Sequence, residues 1–265
     1  MSDILVRFRP ANLDIAGVFR LFLADYSLAW EREGNVHYQR PPKTLILLHG
    51  YAGDETEWVN QGQAELLCRR YNLHVVIPNG YTTFYLDRPD KGHNFCSYLG
   101  HDLMMYLRNT FGIAARREDV LIAGVSMGGF GALHTAFAYP ENFGGIIALS
   151  SGLIQHEVSQ MTPASGGNGI ANYEYYAMTF GEPQKLLESD NNPEVLVDRM
   201  LAAGKPVPRI FMACGTEDFL LPVNEAFHQF LLDRGIDAEL RIGTGKGHNY
   251  SFWNEMMEYA LPKLL

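Results

Sequence analysis

One stretch near the middle of the chain limits its fold more than any other. Val120, Leu121, Ile122 and Ala123 form an apolar run long enough for a strand buried on both faces. Gly124, Val125, Ser126, Met127 and Gly128 follow at once. Phe130, Leu133, Ala136 and Phe137 then recur at helical spacing until Pro140 closes the run. The segment therefore reads as strand, very tight turn, helix, with a serine at the turn. A turn that reverses from strand to helix holds its central residue in a strained backbone, and a Cβ two positions to either side would collide with the adjoining strand and helix. The glycines at 124 and 128 relieve that crowding. The geometry would lift the Ser126 hydroxyl above the sheet, beside the unpaired N–H groups of the new helix.

Composition removes several classes of function. The chain has 265 residues and a formal net charge of −9. An acidic surface with no Lys/Arg run longer than Arg69-Arg70 or Arg116-Arg117 excludes nucleic acid and anionic membrane as expected partners. No run approaches about 18 apolar residues, the length of a membrane-spanning helix. The residues from Met1 to Arg9 lack an apolar core and a small-residue cleavage site, so they do not read as a signal peptide. Cys68, Cys96 and Cys214 are odd in number and far apart, with no metal-ligand spacing. The expectation is a cytoplasmic, single-domain protein without metal or cofactor, acting on a small molecule, with a homo-oligomer open.

Five apolar runs fit buried parallel strands: 44–48, 74–78, 120–124, 145–149 and 209–213. Stretches of helical character separate most of them, the alternation of an α/β fold. Residues 4–9 and 18–24 alternate more clearly and predict an antiparallel start to the sheet. A last strand is expected over 237–242, preceded by a helix over 223–234 and followed by one over 251–261. Residues 152–208 break this rhythm, with no convincing strand between expected strands 6 and 7. They read either as a cap over a pocket or as a satellite core built on Tyr173, Tyr175, Tyr176 and Phe180. Asn192-Pro193-Glu194 marks a helix start inside them, and Gly204 its end.

A serine hydroxyl becomes a nucleophile at neutral pH only with a base in reach and an acid to orient that base. On strand–turn–helix scaffolds of this kind the order along the chain is serine, acid, histidine. Asp218 follows the strand at 209–213, in the loop Gly215-Thr216-Glu217-Asp218, where the carboxyl ends of strands collect functional groups. Glu217 is its rival; Phe219, Leu220 and Leu221 favour Asp218 by offering burial. His248 lies in a glycine-rich loop between the last strand and the last helix. His49 closes a strand and His134 falls mid-helix, so both fit worse. Backbone N–H groups would hold a developing oxyanion: Met127, next to the serine, and Tyr51, in the loop after the strand at 44–48, with the Gly50 and Ala52 peptides as alternatives. Trp58, Tyr81, Tyr85 and Asp87 are expected either to line the substrate pocket or to pack as core.

His49-Gly50-Tyr51-Ala52-Gly53, Val76-Ile77-Pro78-Asn79, the 124–132 segment and Cys214-Gly215-Thr216-Glu217-Asp218-Phe219-Leu220 together resemble the esterase D family. The family includes tributyrin-type, feruloyl and acetylxylan esterases, S-formylglutathione hydrolases and mycolyl-transferring proteins. The resemblance implies an α/β-hydrolase fold: a mostly parallel central sheet, helices on both faces, an inserted cap. It implies Ser126 as nucleophile, Asp218 as acid, His248 as base, and no cofactor. S-formylglutathione hydrolases carry a Thr-Cys pair after the strand-end glycine, where this chain has Tyr51-Ala52. The expected activity is hydrolysis of short-chain acyl or hydroxycinnamoyl esters through an acyl-enzyme. Transfer of the acyl group to an alcohol is the alternative, and a silent ligand-binding protein a third reading.

Overall fold

A computed structural model describes residues 1–265. Its centre is one eight-stranded sheet. The strands are β1 (Ser2–Phe8), β2 (Gly17–Leu23), β3 (Lys43–Leu48), β4 (Leu73–Pro78), β5 (Val120–Val125), β6 (Gly145–Leu149), β7 (Arg209–Gly215) and β8 (Ala238–Gly243). Their spatial order is β1-β2-β4-β3-β5-β6-β7-β8. β1 pairs antiparallel with β2, and β2 with β4; every other pairing is parallel. The antiparallel start, the parallel centre and the last strand stand where the apolar patterning put them.

The strands alternate between two packed faces, as the two-residue side-chain period requires. Ile46, Leu48, Ile122, Ile146 and Met212 join one buried cluster, which is covered by helices α2 (Met127–Ala138), α4 (Pro193–Ala202) and α5 (Leu221–Asp233). Leu45, Leu47, Leu121, Ile147 and Phe211 join the other, beneath α1 (Ala64–Tyr71) and α6 (Tyr250–Leu264). Two buried faces explain why the central strands read as unbroken apolar runs. α6 runs three residues past its expected end, through Pro262, because Leu264 still reaches the core.

The 152–208 segment holds no strand. It folds into short helical pieces, among them α3 (Tyr173–Phe180) and α4, whose start is capped by Asn192 accepting from the Glu194 N–H. Tyr176, Phe180, Leu186, Val197 and Met200 are buried in the cluster beneath α2. Gly152, Ile154, Glu157, Asn168 and Ile170 of the segment's first half share a cavity with Ser126.

Candidate active site

Ser126 stands between the end of β5 and the start of α2, at φ 55° and ψ −118°. That is a left-handed backbone in a residue with a Cβ, and the surroundings fix it. The Ser126 N–H donates to the Leu149 carbonyl at 2.9 Å, and its own carbonyl accepts from Gly152 N–H at 2.8 Å. The flanking glycines are forced. A Cβ on Gly124 would stand 2.2 Å from the Gly128 carbonyl oxygen, and one on Gly128 2.3 Å from that of Leu48. Strain of this order costs about 1–3 kcal/mol and persists only where the fold over-determines it.

Asp218 and His248 meet at the same rim. His248 Nδ1 lies 2.8 Å from Asp218 Oδ2, and the Leu220 N–H donates to Oδ1 at 3.0 Å. Asp218 is 4% exposed. Burial pushes its carboxyl up, but hydrogen bonds from His248, the Ser150 hydroxyl and the Leu220 N–H outweigh that and hold it below the usual carboxylate range. The two loops that carry the pair are sewn together by backbone: Thr216 N–H to the Gly243 carbonyl and Glu217 N–H to that of Lys246, both at 2.9 Å. Gly215 permits this approach, since a Cβ there would lie 2.0 Å from the Lys246 oxygen. Glu217, the rival acid, is exposed.

The imidazole is clamped by aromatic rings. Trp253 meets it edge-on at 4.8 Å and anchors its own Nε1 to the Ser150 hydroxyl; Phe219 lies 5.1 Å away on another side. Phe219 is 62% exposed, so it flanks the histidine instead of burying the aspartate as expected. With Nδ1 on Asp218, Nε2 is the nitrogen left for a reacting proton. No hydrogen bond joins the ring to the Ser126 hydroxyl in this structure.

The loop after β3 sorts its three peptides. The Gly50 N–H donates to the Glu57 carboxylate at 2.8 Å, so it has no donor to spare. Burial pushes that carboxyl up while the Gly50 bond pulls it down. His49, fully buried, bridges the loop to its neighbour: Nδ1 sits 2.8 Å from the Gly50 carbonyl, and Nε2 accepts from Gly80 N–H at 2.8 Å. That pattern fixes the neutral tautomer and makes His49 a brace. The Tyr51 and Ala52 N–H groups donate to no partner; Tyr51 is half-exposed beside Ser126, and Met127 is the first residue of α2, whose opening N–H groups have no intrahelical partner.

Ser126 opens into a cavity of about 180 Å³. Tyr51, Met127, Phe84, Phe219, Leu220 and Val223 supply the sheet side of its wall; Gly152, Ile154, Glu157, Asn168, Ile170 and Tyr176 come from the 152–208 segment. The family model described as "Putative esterase" matches residues 27–260.

This chain belongs to that esterase family. It is an α/β-hydrolase that acts on carboxylic ester bonds. An acetyl esterase from Caldicellulosiruptor saccharolyticus is 40% identical over 218 residues, 82% of this chain and 81% of that protein. Among solved structures, the S-formylglutathione hydrolase FrmB from Staphylococcus aureus superposes with a TM-score of 0.81 at 23% identity, covering 99% of this chain and 98% of the other. A ferulic acid esterase does so at 0.73 and 21% identity, covering 99% and 97%. Likeness at these identities is one of fold.

The four side chains expected at the esterase's pocket do not line the cavity at Ser126. Trp58 is fully buried on the opposite face of the sheet, with Nε1 donating to the Leu48 carbonyl and the ring against Tyr250. Tyr85 is also fully buried and donates its hydroxyl to the His49 carbonyl. Tyr81 packs edge-on against Phe95 and lines a separate cavity with Ile15 and Met178. Asp87 accepts from the Ser97 N–H and hydroxyl, on the far side of α2. Residues near a motif in sequence are handed to core or to other surfaces by a short helix and by loop direction. Most wall residues missed by the sequence reading lie in the 152–208 segment; Phe84, Phe219, Leu220 and Val223 are the others. The segment's one sequence signal was the pairing of a glycine-rich loop with a cluster of aromatics. No helix is long and apolar enough to cross a membrane.

Proposed function

We propose that the esterase cleaves short-chain acyl esters with Ser126 as nucleophile, His248 as base and Asp218 as the acid that orients it. The supporting observation is the 2.8 Å pairing of His248 Nδ1 with buried Asp218 at the rim where Ser126 is held in its strained turn. An ester entering the site brings Ser126 Oγ and His248 Nε2 into hydrogen-bond reach. Oγ bonds to the carbonyl carbon as its proton passes to Nε2. The tetrahedral oxygen takes N–H donors from Met127 and Tyr51, each typically worth about 3 kcal/mol of barrier. The C–O bond breaks, and the alkoxide leaves with the imidazolium proton. Water then adds to the acyl-enzyme, with His248 taking its proton, and releases the acid and the serine hydroxyl.

The cavity at Ser126 supports a small acyl group. About 180 Å³ is below the roughly 300–1,000 Å³ usual for drug-sized ligands. An acetyl or butyryl group suits it better than a hydroxycinnamoyl group, in keeping with the acetyl esterase relative. Three free, buried cysteines fit a reducing compartment, so we place the enzyme in the cytoplasm.

A fluorophosphonate should label the wild type at Ser126 and leave a folded Ser126→Ala variant unlabelled. That variant should lose 4-nitrophenyl acetate turnover by roughly 10⁴-fold or more. Retained turnover would refute Ser126 as nucleophile. Faster cleavage of methyl hydroxycinnamates than of acetates would refute the acyl size.

A further inference from the structure

Glu157 carries the one formal charge on the cavity wall at Ser126; no lysine or arginine lines it. A second, more open groove of about 590 Å³ shares Tyr51 and Ile170 with that cavity and continues along Gly166, Gly167, Asn172 and Tyr175. No residue of that groove is charged. An ester lying across both surfaces therefore meets a single charge, and it is negative. Asn168 adds a directed donor. Its Oδ1 accepts from the Ile170 and Ala171 N–H groups at 3.2 and 3.3 Å and from the Tyr176 hydroxyl at 3.0 Å. Two of those partners can only donate, so the oxygen must face them and the NH₂ is left for the cavity. Tyr176 ties Glu157 into the same corner: burial pushes its hydroxyl up, and the Glu157 charge adds to the push.

We propose, resting on the reading of Ser126 above, that Glu157 sets substrate charge: the esterase prefers uncharged or cationic esters over anionic ones. Glu157 accepts hydrogen bonds where Asn168 donates them, a pairing that suits a hydroxyl-bearing neutral substrate. An anionic one finds repulsion and no counter-charge. The net charge of −9 works in the same direction at long range. The same wall disfavours any ester whose alcohol or thiol half carries carboxylates or phosphates.

The test compares two probes of nearly equal shape, methyl 4-acetoxybenzoate and the 4-acetoxybenzoate anion. Wild type should prefer the neutral ester in kcat/KM by roughly fivefold, as expected for like charges several ångströms apart in a wet site. That preference should shrink in about 1 M NaCl, where screening falls to about 3 Å. Glu157→Gln should lower the ratio by several-fold relative to wild type. Glu157→Lys should reverse the preference. Glu65→Gln, which removes the same charge from remote helix α1, should leave the ratio as in wild type. A wild type that treats both probes alike, or a ratio that Glu157→Gln and Glu157→Lys do not move, would overturn the proposal. The readout is a ratio between two acetates, so it fails separately from the assignment of Ser126, which fails on total turnover and labelling.

Discussion

The rim of strand ends and the 152–208 segment face each other across one cavity, yet different forces hold them. At the rim, backbone does the work: ladder bonds end on Ser126, Ser150 and Thr216, and glycines at 124, 128 and 215 let main chains touch. In the 152–208 segment, side chains do it. Tyr175 donates to the Thr82 carbonyl, Tyr176 to Asn168, Gln184 to the Met161 carbonyl and Asn191 to that of Phe180. Residues 162–167 of that segment are all exposed. A backbone-built rim has one geometry and fails when a Cβ is added. A side-chain-built cover can lose a contact and still close. On the readings proposed above, chemistry sits on the first and selection among substrates on the second.

The sharpest way to break this contrast is at the acid. Asp218→Asn should lower kcat by about a thousand- to ten-thousand-fold with little change in KM, because the histidine loses the anion that orients it. A loss under tenfold, measured on 4-nitrophenyl acetate, would move the chemistry away from this rim. Gly128→Ala should come next. Its methyl meets the Leu48 carbonyl, so chemical denaturation should show a loss of about 3 kcal/mol, with activity lost alongside.

Acid should weaken the scaffold. His74, in β4, is pushed down by burial to about 4, and its Nδ1 accepts from the Ala24 N–H. The unfolded chain takes up its proton near the ordinary histidine value of 6.5, the folded chain only near 4. Unfolded protein thus binds more protons between those values, and stability rises with pH across that window. His74→Asn keeps an acceptor for Ala24 without the titration. It should flatten the pH–stability curve between 4 and 6.5 by about 1–3 kcal/mol. The smallest effect belongs to Tyr176→Phe, which deletes the bond to Asn168. It should cost about 1 kcal/mol or less, raising KM about two- to fivefold while kcat holds. A fall in kcat as large as that from Asp218→Asn would erase the distinction between rim and cover.

The sequence by itself determined the sheet and the three side chains at its edge. Strands buried on two faces must be continuously apolar, and a serine in a strand-to-helix reversal must have glycines beside it, so both patterns are local and legible. Loop order after β7 and β8 then left Asp218 and His248 as the pair. Tertiary structure decided what depends on partners distant in sequence or on the direction a loop takes. Glu57, seven residues on, occupies the Gly50 N–H and removes it from the candidate donors. The short helix Glu57–Asn60 turned Trp58 toward the far core, and the path of the loop after β4 sank Tyr85 beneath the site. Glu157 and Asn168 reached the cavity only because residues packed beneath α2 swing the cover across Ser126. No local period encodes such a meeting; it exists only once burial has fixed where each segment lies.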